Sequence, residues 1–235
     1  GPSCQAVVNW TVPTVDDNCT SIIPSGNLDP GHTFNLGTTQ VVYTATDDAG
    51  NDAFCFFNVE VVDDTPPAIS SCPSDITLTA DGSCEAVANW TPPTATDNCT
   101  FSLTPTSPFS SGETFGLGTT TVTYTATDGA GNSTTCSFDV IVIDETPPVI
   151  TDCPTDIMVS ANAGCEAVVT WTPPGAIDNC KVPITPMSSS NSGDTFGLGT
   201  TLVTYTAVDD AGNSNICKFN VIVNDGTAPV IANCP

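Results

Sequence analysis

Apolar and polar residues alternate along this chain in short bursts, broken by clusters of Gly, Pro, Asp and Asn. In "DITLTAD", Ile76, Leu78 and Ala80 fall on one face, the period of a half-buried strand. "DGS" then turns the chain, and "CEAVANW" sets Cys84, Ala86, Ala88 and Trp90 on one face with Glu85 on the other. "TPPTATDNC" reads as a loop, because adjacent prolines cannot continue a hydrogen-bonded ladder. A shorter strand is expected at "FSLTP". "TTTVTYTATD" turns Val122, Tyr124 and Ala126 inward and its threonines outward. After the turn "GAGN", "CSFDVIV" returns with Cys136, Phe138, Val140 and Val142 inward. No stretch has helical periodicity. About seven short strands in roughly 80 residues predict a two-sheet sandwich.

The same pattern occurs three times. "TATDDAGNDAFC", "TATDGAGNSTTC" and "TAVDDAGNSNIC" are near copies, and the cysteines keep four phases with a period of 80 or 81 residues: Cys4, Cys84 and Cys165; Cys19, Cys99 and Cys180; Cys55, Cys136 and Cys217; Cys72, Cys153 and Cys234. That period suits a small domain with its own core. The expected division is 1–64, 65–145 and 146–226, with 227–235 opening a next repeat or forming a junction. "GPSC" aligns with "DGSC" at 81–84, so the first repeat is expected to lack its opening strand and to expose an apolar groove. The linkers "VVDDTPPAI", "VIDETPPVI" and "VNDGTAPVI" are acidic and proline-stiffened, which predicts an elongated all-β array.

Composition narrows the function. Twelve cysteines in small repeats point to disulfides and an oxidising compartment. Zinc would need paired cysteines or several histidines, and His32 is the sole histidine. The formal charge is −24, with Lys181 and Lys218 as the only cations, which excludes a nucleic-acid partner and disfavours anionic membrane surfaces. The sequence has no secretory leader, membrane span or lipidation motif, as expected for a mature fragment or an internal segment of a longer precursor.

The run "DETPPVI…CP.DI.V…C.A.V.W.PP.A.DNC", followed by "G.TFGLGTT.V.YTA.D.AGN…C.F.V.V", resembles the hyalin repeat (HYR) family in three tandem copies. The resemblance implies tandem immunoglobulin-like β-sandwiches from extracellular proteins of adhesion, matrix or cell-surface fibres. It implies no catalytic residues.

Four cysteines per repeat allow three pairings. If the first two strands form a hairpin around "DGS", Cys72 lies by Cys99 and Cys153 by Cys180. Cys84–Cys136, Cys165–Cys217 and Cys4–Cys55 would then join inward positions across each sandwich. That leaves Cys19 and Cys234 for a next repeat or an intermolecular bond.

The acidic turns admit two readings. In a sandwich of this kind the DNC loop, the AGN turn and the incoming linker share one pole. Asp63, Asp64, Asp97, Asn98, Asp128 and Asn132 would meet at one junction; Asp144, Glu145, Asp178, Asn179, Asp209, Asp210 and Asn213 at the next. Carboxylate and amide oxygens of this kind can hold Ca2+, although no EF-hand loop is present. Alternatively, Asp and Asn shape tight turns through their own backbone.

Other candidates are weaker. Trp10, Trp90 and Trp171 could stack on sugars, but their inward parity favours core packing, as for Tyr43, Tyr124 and Tyr205. His32 sits in a turn context, and no nucleophile motif occurs. Asn9, Asn18, Asn89, Asn98 and Asn132 lie in N-x-[ST] sequons and are candidate glycan acceptors. The sequence thus predicts a non-catalytic extracellular module of a surface fibre or head-to-tail filament. A spacer in a larger secreted enzyme or receptor, or a carbohydrate-binding module, are the alternatives.

Overall fold

A computed structural model describes residues 4–99 and 104–232. The chain forms two compact units, Gly1–Ser74 with Asn89–Ser111 and Thr121–Asp139, and Asp75–Ala88 with Gly112–Thr120 and Val140–Pro235. Among the described residues every regular element is a strand, and the predicted all-β class holds.

The third repeat, within the second unit, shows the architecture completely. Gly199–Val208 and Ser214–Asn224 form a ten-pair antiparallel ladder. Met187–Ser188 flanks the first of these strands, and Ile157–Ser160 runs parallel to the end of the second. Glu166–Val168 pairs with Thr195–Gly197 as a separate small sheet, and Val149–Thr151 pairs with Gly175–Ile177. Strict alternation drives this: Val203, Tyr205, Cys217, Phe219, Val221 and Val223 are buried, while the threonines between them meet solvent or the margin. Ala167, Val169 and Phe196 close the core from the facing sheet.

In the first unit, Gly37–Thr46 and Asp52–Val61 form the corresponding ladder, Ser25–Gly26 flanks it, and Gln5–Val8 pairs with His32–Asn35. Phe34, Val41, Tyr43 and Val59 make its core. Among the described residues no strand lines the outer edge of Asp52–Val61, the place Ile157–Ser160 takes beside Ser214–Asn224. Beside it lies a groove of about 230 Å³ that includes Val15, Ala45, Ala53 and Phe54.

Two expectations need correction. The first concerns the loop and linker: Thr94–Thr96 inside "TPPTATDNC" is a strand, paired antiparallel with Ala68–Ser70 of the linker. Thr94-Ala95-Thr96 follows the prolines, so its ladder is not interrupted, and the buried Ala95 is paired across the ladder with Ile69. Of the strand expected at "FSLTP", residues 101–103 lie outside the described residues; Thr106 forms an isolated bridge to Thr125.

The second correction concerns the cystines. The hairpin around "DGS" does not form. Ile76–Thr79 pairs in parallel with Val140–Ile143, whereas Glu85–Val87 pairs with Thr114–Gly116, so the chain changes sheets at that turn. In the second and third repeats the opening strand therefore lies beside the last strand. Accordingly the bonds are Cys72–Cys136 and Cys153–Cys217, not Cys72–Cys99, Cys153–Cys180, Cys84–Cys136 or Cys165–Cys217. Cys84 precedes its strand in a left-handed backbone conformation (φ 63°) and bonds Cys180 of the following repeat; Cys4 (φ 54°) likewise bonds Cys99, not Cys55. Cys19, Cys55 and Cys165 are free and exposed. Cys234 lies outside the described residues.

Candidate cation sites beside the linkers

The AGN turn is built by its aspartate. Asp128 Oδ1 accepts the backbone N–H groups of Ala130 (2.9 Å) and Asn132 (2.8 Å), and Oδ2 accepts the Asn132 side-chain amide (2.8 Å). Gly131 takes φ 95° between them, as Gly50 and Gly212 do in the other copies. Asp47–Asn51 and Asp209–Asn213 repeat the arrangement. Burial of Asp128 opposes its charge, but the Asn132 side chain and the turn amides outweigh it and hold the carboxyl below the usual carboxylate range. Asp47 is lowered by the Asn51 side chain and backbone amide in the same way.

The turn asparagine has a second task. Asn132 Nδ2 also donates to the main-chain carbonyl of Asp63 (3.0 Å), and Asn213 Nδ2 to that of Asp144 (3.0 Å). Each linker acid is thereby fixed beside the DNC loop. In the first unit, ligand atoms of Asp63, Asp97 and Cys99 lie within 4.8 Å of one another; in the second, those of Asp144, Asp178 and Cys180 do. Cys99 and Cys180 are in cystines and offer no thiolate. The usable donors are oxygens.

Those oxygens are incompletely satisfied. Asp97 Oδ2 accepts the Cys99 N–H (2.7 Å) and Asp178 Oδ2 the Cys180 N–H (2.8 Å). Oδ1 of Asp97, Asn98, Asp178 and Asn179 are all buried without a hydrogen-bond partner. Asp178 and Asp144 are each only 8% exposed. Buried acceptors without donors are costly, and a carboxylate with no counterion more so. Oxygens of this type are the donors that a hard cation takes.

The remaining candidates divide. Asp128, Asn132, Asp209 and Asn213 hold the turn and clamp the linker. Asp64 is exposed, and Glu145 accepts the Thr79 hydroxyl (2.8 Å). Asp210 pairs with Lys181, and both line a cleft of about 530 Å³ with Asp144, Asp178 and Asp209. A cleft of about 460 Å³ beside Asp63 and Cys99 is its counterpart in the first unit. No signal in the sequence separated the paired Asp210 from its neighbours, since Lys181 is not repeated.

The tryptophans are structural. Nε1 of Trp10, Trp90 and Trp171 donates to the hydroxyl of Tyr43, Tyr124 and Tyr205 at 2.8, 2.7 and 2.8 Å. Their rings meet Phe57, Phe138 and Phe219 edge-on. His32 stacks edge-on against Phe34, with its backbone N–H in a turn to Asp29. Among the sequons, Asn9, Asn18 and Asn89 are exposed, while the amides of Asn98 and Asn132 are engaged at Asp63.

The family comparison fits this repeat-by-repeat geometry: the HYR domain model matches residues 3–61, 62–142 and 143–223. The chain belongs to the HYR domain family. Its HYR repeats are 37% identical to a hyalin of Lytechinus variegatus over 97% of this chain and 45% of that protein. They are 39% identical to a hyalin of Strongylocentrotus purpuratus over 97% of this chain and 20% of that protein. A protein of Rattus norvegicus with sushi, von Willebrand factor type A, EGF and pentraxin domains is 37% identical over 68% of this chain and 4% of its own length. The chain thus spans less than half of the curated relatives it matches. Among solved structures, a protocadherin gammaB7 cis-dimer is similar at 18% identity and a TM-score of 0.31, covering 87% of this chain and 66% of its own. Among the described residues, no helix is long and apolar enough to cross a membrane.

Proposed function

We propose that this HYR segment is a non-catalytic structural module of an extracellular adhesive or fibrous assembly, and that calcium closes its linker sites. The cystines support an oxidising, extracellular setting. The linker clamps and the cystines from Cys4 to Cys99 and from Cys84 to Cys180 suit a part whose work is to hold consecutive repeats in fixed register. Self-association of such segments head to tail is the assembly this reading carries.

The buried, unpartnered Oδ1 atoms of Asp178 and Asn179, with Asp178 and Asp144 offering ligand atoms within 4.8 Å of each other, carry the calcium reading. Asp144, Asp178 and Asn179 would hold the ion in the second unit, and Asp63, Asp97 and Asn98 in the first. The adjacent clefts leave room for water to complete a shell of about six to eight oxygens. The ion would supply charge neutralisation, and the chain's own residues orient the linker.

Calorimetric titration of the chelated protein with calcium chloride tests this. Two binding events are expected, with Asp178→Asn and Asp97→Asn each removing one, and a melting temperature that rises with calcium. Identical melting in chelator and in millimolar calcium, with no heat of binding, would overturn it.

A further inference from the structure

Two neighbouring residues of the DNC loop in the second unit are held in different ways. Asp178 is fixed within the loop: its N–H donates to the Lys181 carbonyl (3.2 Å), and its Oδ2 accepts the Cys180 N–H (2.8 Å). Asn179 is fixed from far along the chain. Its Nδ2 donates to the main-chain carbonyl of Asp81 (3.1 Å), 98 residues earlier. Its own carbonyl oxygen lies 2.9 Å from Cys84 Sγ, and Cys84 bonds Cys180, the next residue of the loop. Among the described contacts, every one that Asn179 makes outside its own loop goes to the turn at 81–84.

That turn is a well-bonded anchor. The Asp81 N–H donates to the Glu85 carbonyl (2.7 Å), and Asp81 Oδ1 accepts the Ser83 N–H (2.7 Å). The Asp81 carbonyl accepts the Cys84 N–H (3.1 Å) as well as the Asn179 amide. With Nδ2 committed to Asp81, Oδ1 is the end of the Asn179 amide left over, and it is buried without a donor. Asp178 Oδ1 is likewise unpartnered, on a residue only 8% exposed whose carboxylate comes within 4.8 Å of a ligand oxygen of Asp144. The bond from Cys84 to Cys180 thus joins the anchor to the loop that carries both oxygens.

We propose that the Cys84–Cys180 cystine is a redox control on the calcium site of the second unit: intact, it holds Asn179 with Oδ1 available to the ion, and reduced, it releases the amide. The inference rests on the calcium reading above and adds the regulation of that site. Partners that orient a metal ligand are worth about 10–100-fold in affinity. Asp178 keeps its own loop bonds, so reduction weakens the site without abolishing it. Coupling of this kind is reciprocal: the factor by which the cystine tightens calcium is the factor by which calcium stabilises the cystine. In the reduction the S–S bond breaks, the two sulfurs take up two electrons and two protons, and a dithiol reductant is oxidised to its cyclic disulfide.

Calcium titration of the chain carrying both Cys84→Ser and Cys180→Ser reads the first half of the cycle. Affinity at the event that Asp178→Asn removes should fall by about tenfold or more, while the event that Asp97→Asn removes keeps its affinity. In an Asn179→Ala background the same pair of serines should have no further effect. The second half uses the wild-type chain, its free thiols capped with iodoacetamide, equilibrated against oxidised and reduced dithiothreitol. Saturating calcium should shift the Cys84–Cys180 midpoint to more negative potential, by about 30 mV for each tenfold of coupling, and leave Cys153–Cys217 unmoved. Two calcium events with no effect of the serines and no shift in midpoint would refute the control and leave the calcium reading standing. An equal loss in the Asn179→Ala background would also refute it, since the effect would then bypass Asn179. No heat of binding to the oxidised wild type would refute both.

Discussion

The side-chain amide of Asn213 donates to the main-chain carbonyl of Asp144 at 3.0 Å, while the same nitrogen holds Asp209 Oδ2 at 2.9 Å. One asparagine thus ties the AGN turn to the linker that enters its repeat. Asn132 makes the equivalent pair of bonds to Asp63 and Asp128. Asn213→Ala would leave a buried carboxylate oxygen and a linker carbonyl without a donor. A loss of about 1–3 kcal/mol is expected, measured by urea unfolding. Asn51 bonds Asp47 alone among the contacts described, so Asn51→Ala should cost less.

Acid should weaken the turns. Asp128 and Asp47 titrate below their ordinary 3.8 in the folded chain. A carboxyl with a depressed folded value contributes fully above the unfolded value and loses that contribution as pH falls through the folded one. Part of the stability should therefore disappear below about pH 4. Protonation also relieves repulsion within a chain of charge −24, which works the other way. The difference between the wild type and Asp128→Asn isolates the turn: it should shrink as the pH is lowered. A difference that stays constant down to pH 2 would contradict the assignment.

The cystine pattern makes a clean chemical prediction. Cys84→Ser should liberate the thiol of Cys180 and leave Cys72–Cys136 intact, as read by alkylation and peptide mapping. Loss of a bond closing so long a loop should cost about 2–4 kcal/mol. Recovery of a free Cys136 instead would mean that the bonds run within repeats.

Tyr205→Phe removes the acceptor of the Trp171 indole N–H and nothing else of comparable size. The buried donor left behind should lower stability by about 1 kcal/mol and shift the tryptophan emission. An unchanged spectrum and melting curve would show that water replaces the hydroxyl.

Much of this fold could be read from alternation. Val122, Tyr124 and Ala126, and Phe138, Val140 and Val142, are buried as their parity required. The acidic pole was also legible, since Asp63 and Asp97 do meet, as do Asp144 and Asp178. Strand partnership was not legible. Period 2 fixes which face a residue takes but not which neighbour it pairs with, so a local hairpin stood in for the parallel pairing of Ile76–Thr79 with Val140–Ile143. The cystines followed that error. Nor does composition distinguish an aspartate satisfied by its own turn, such as Asp128, from one with an oxygen left over, such as Asp178.

Cys4–Cys99 and Cys84–Cys180 close covalent rings that overlap along the chain. Tension applied at the two ends would pass through the first sulfur bridge, back along the short run between Cys84 and Cys99, and out through the second. Most of the polypeptide between Cys4 and Cys180 would bear no load. Stretched under oxidising conditions, such a tether yields little hidden length; reduction would turn it into an extensible one.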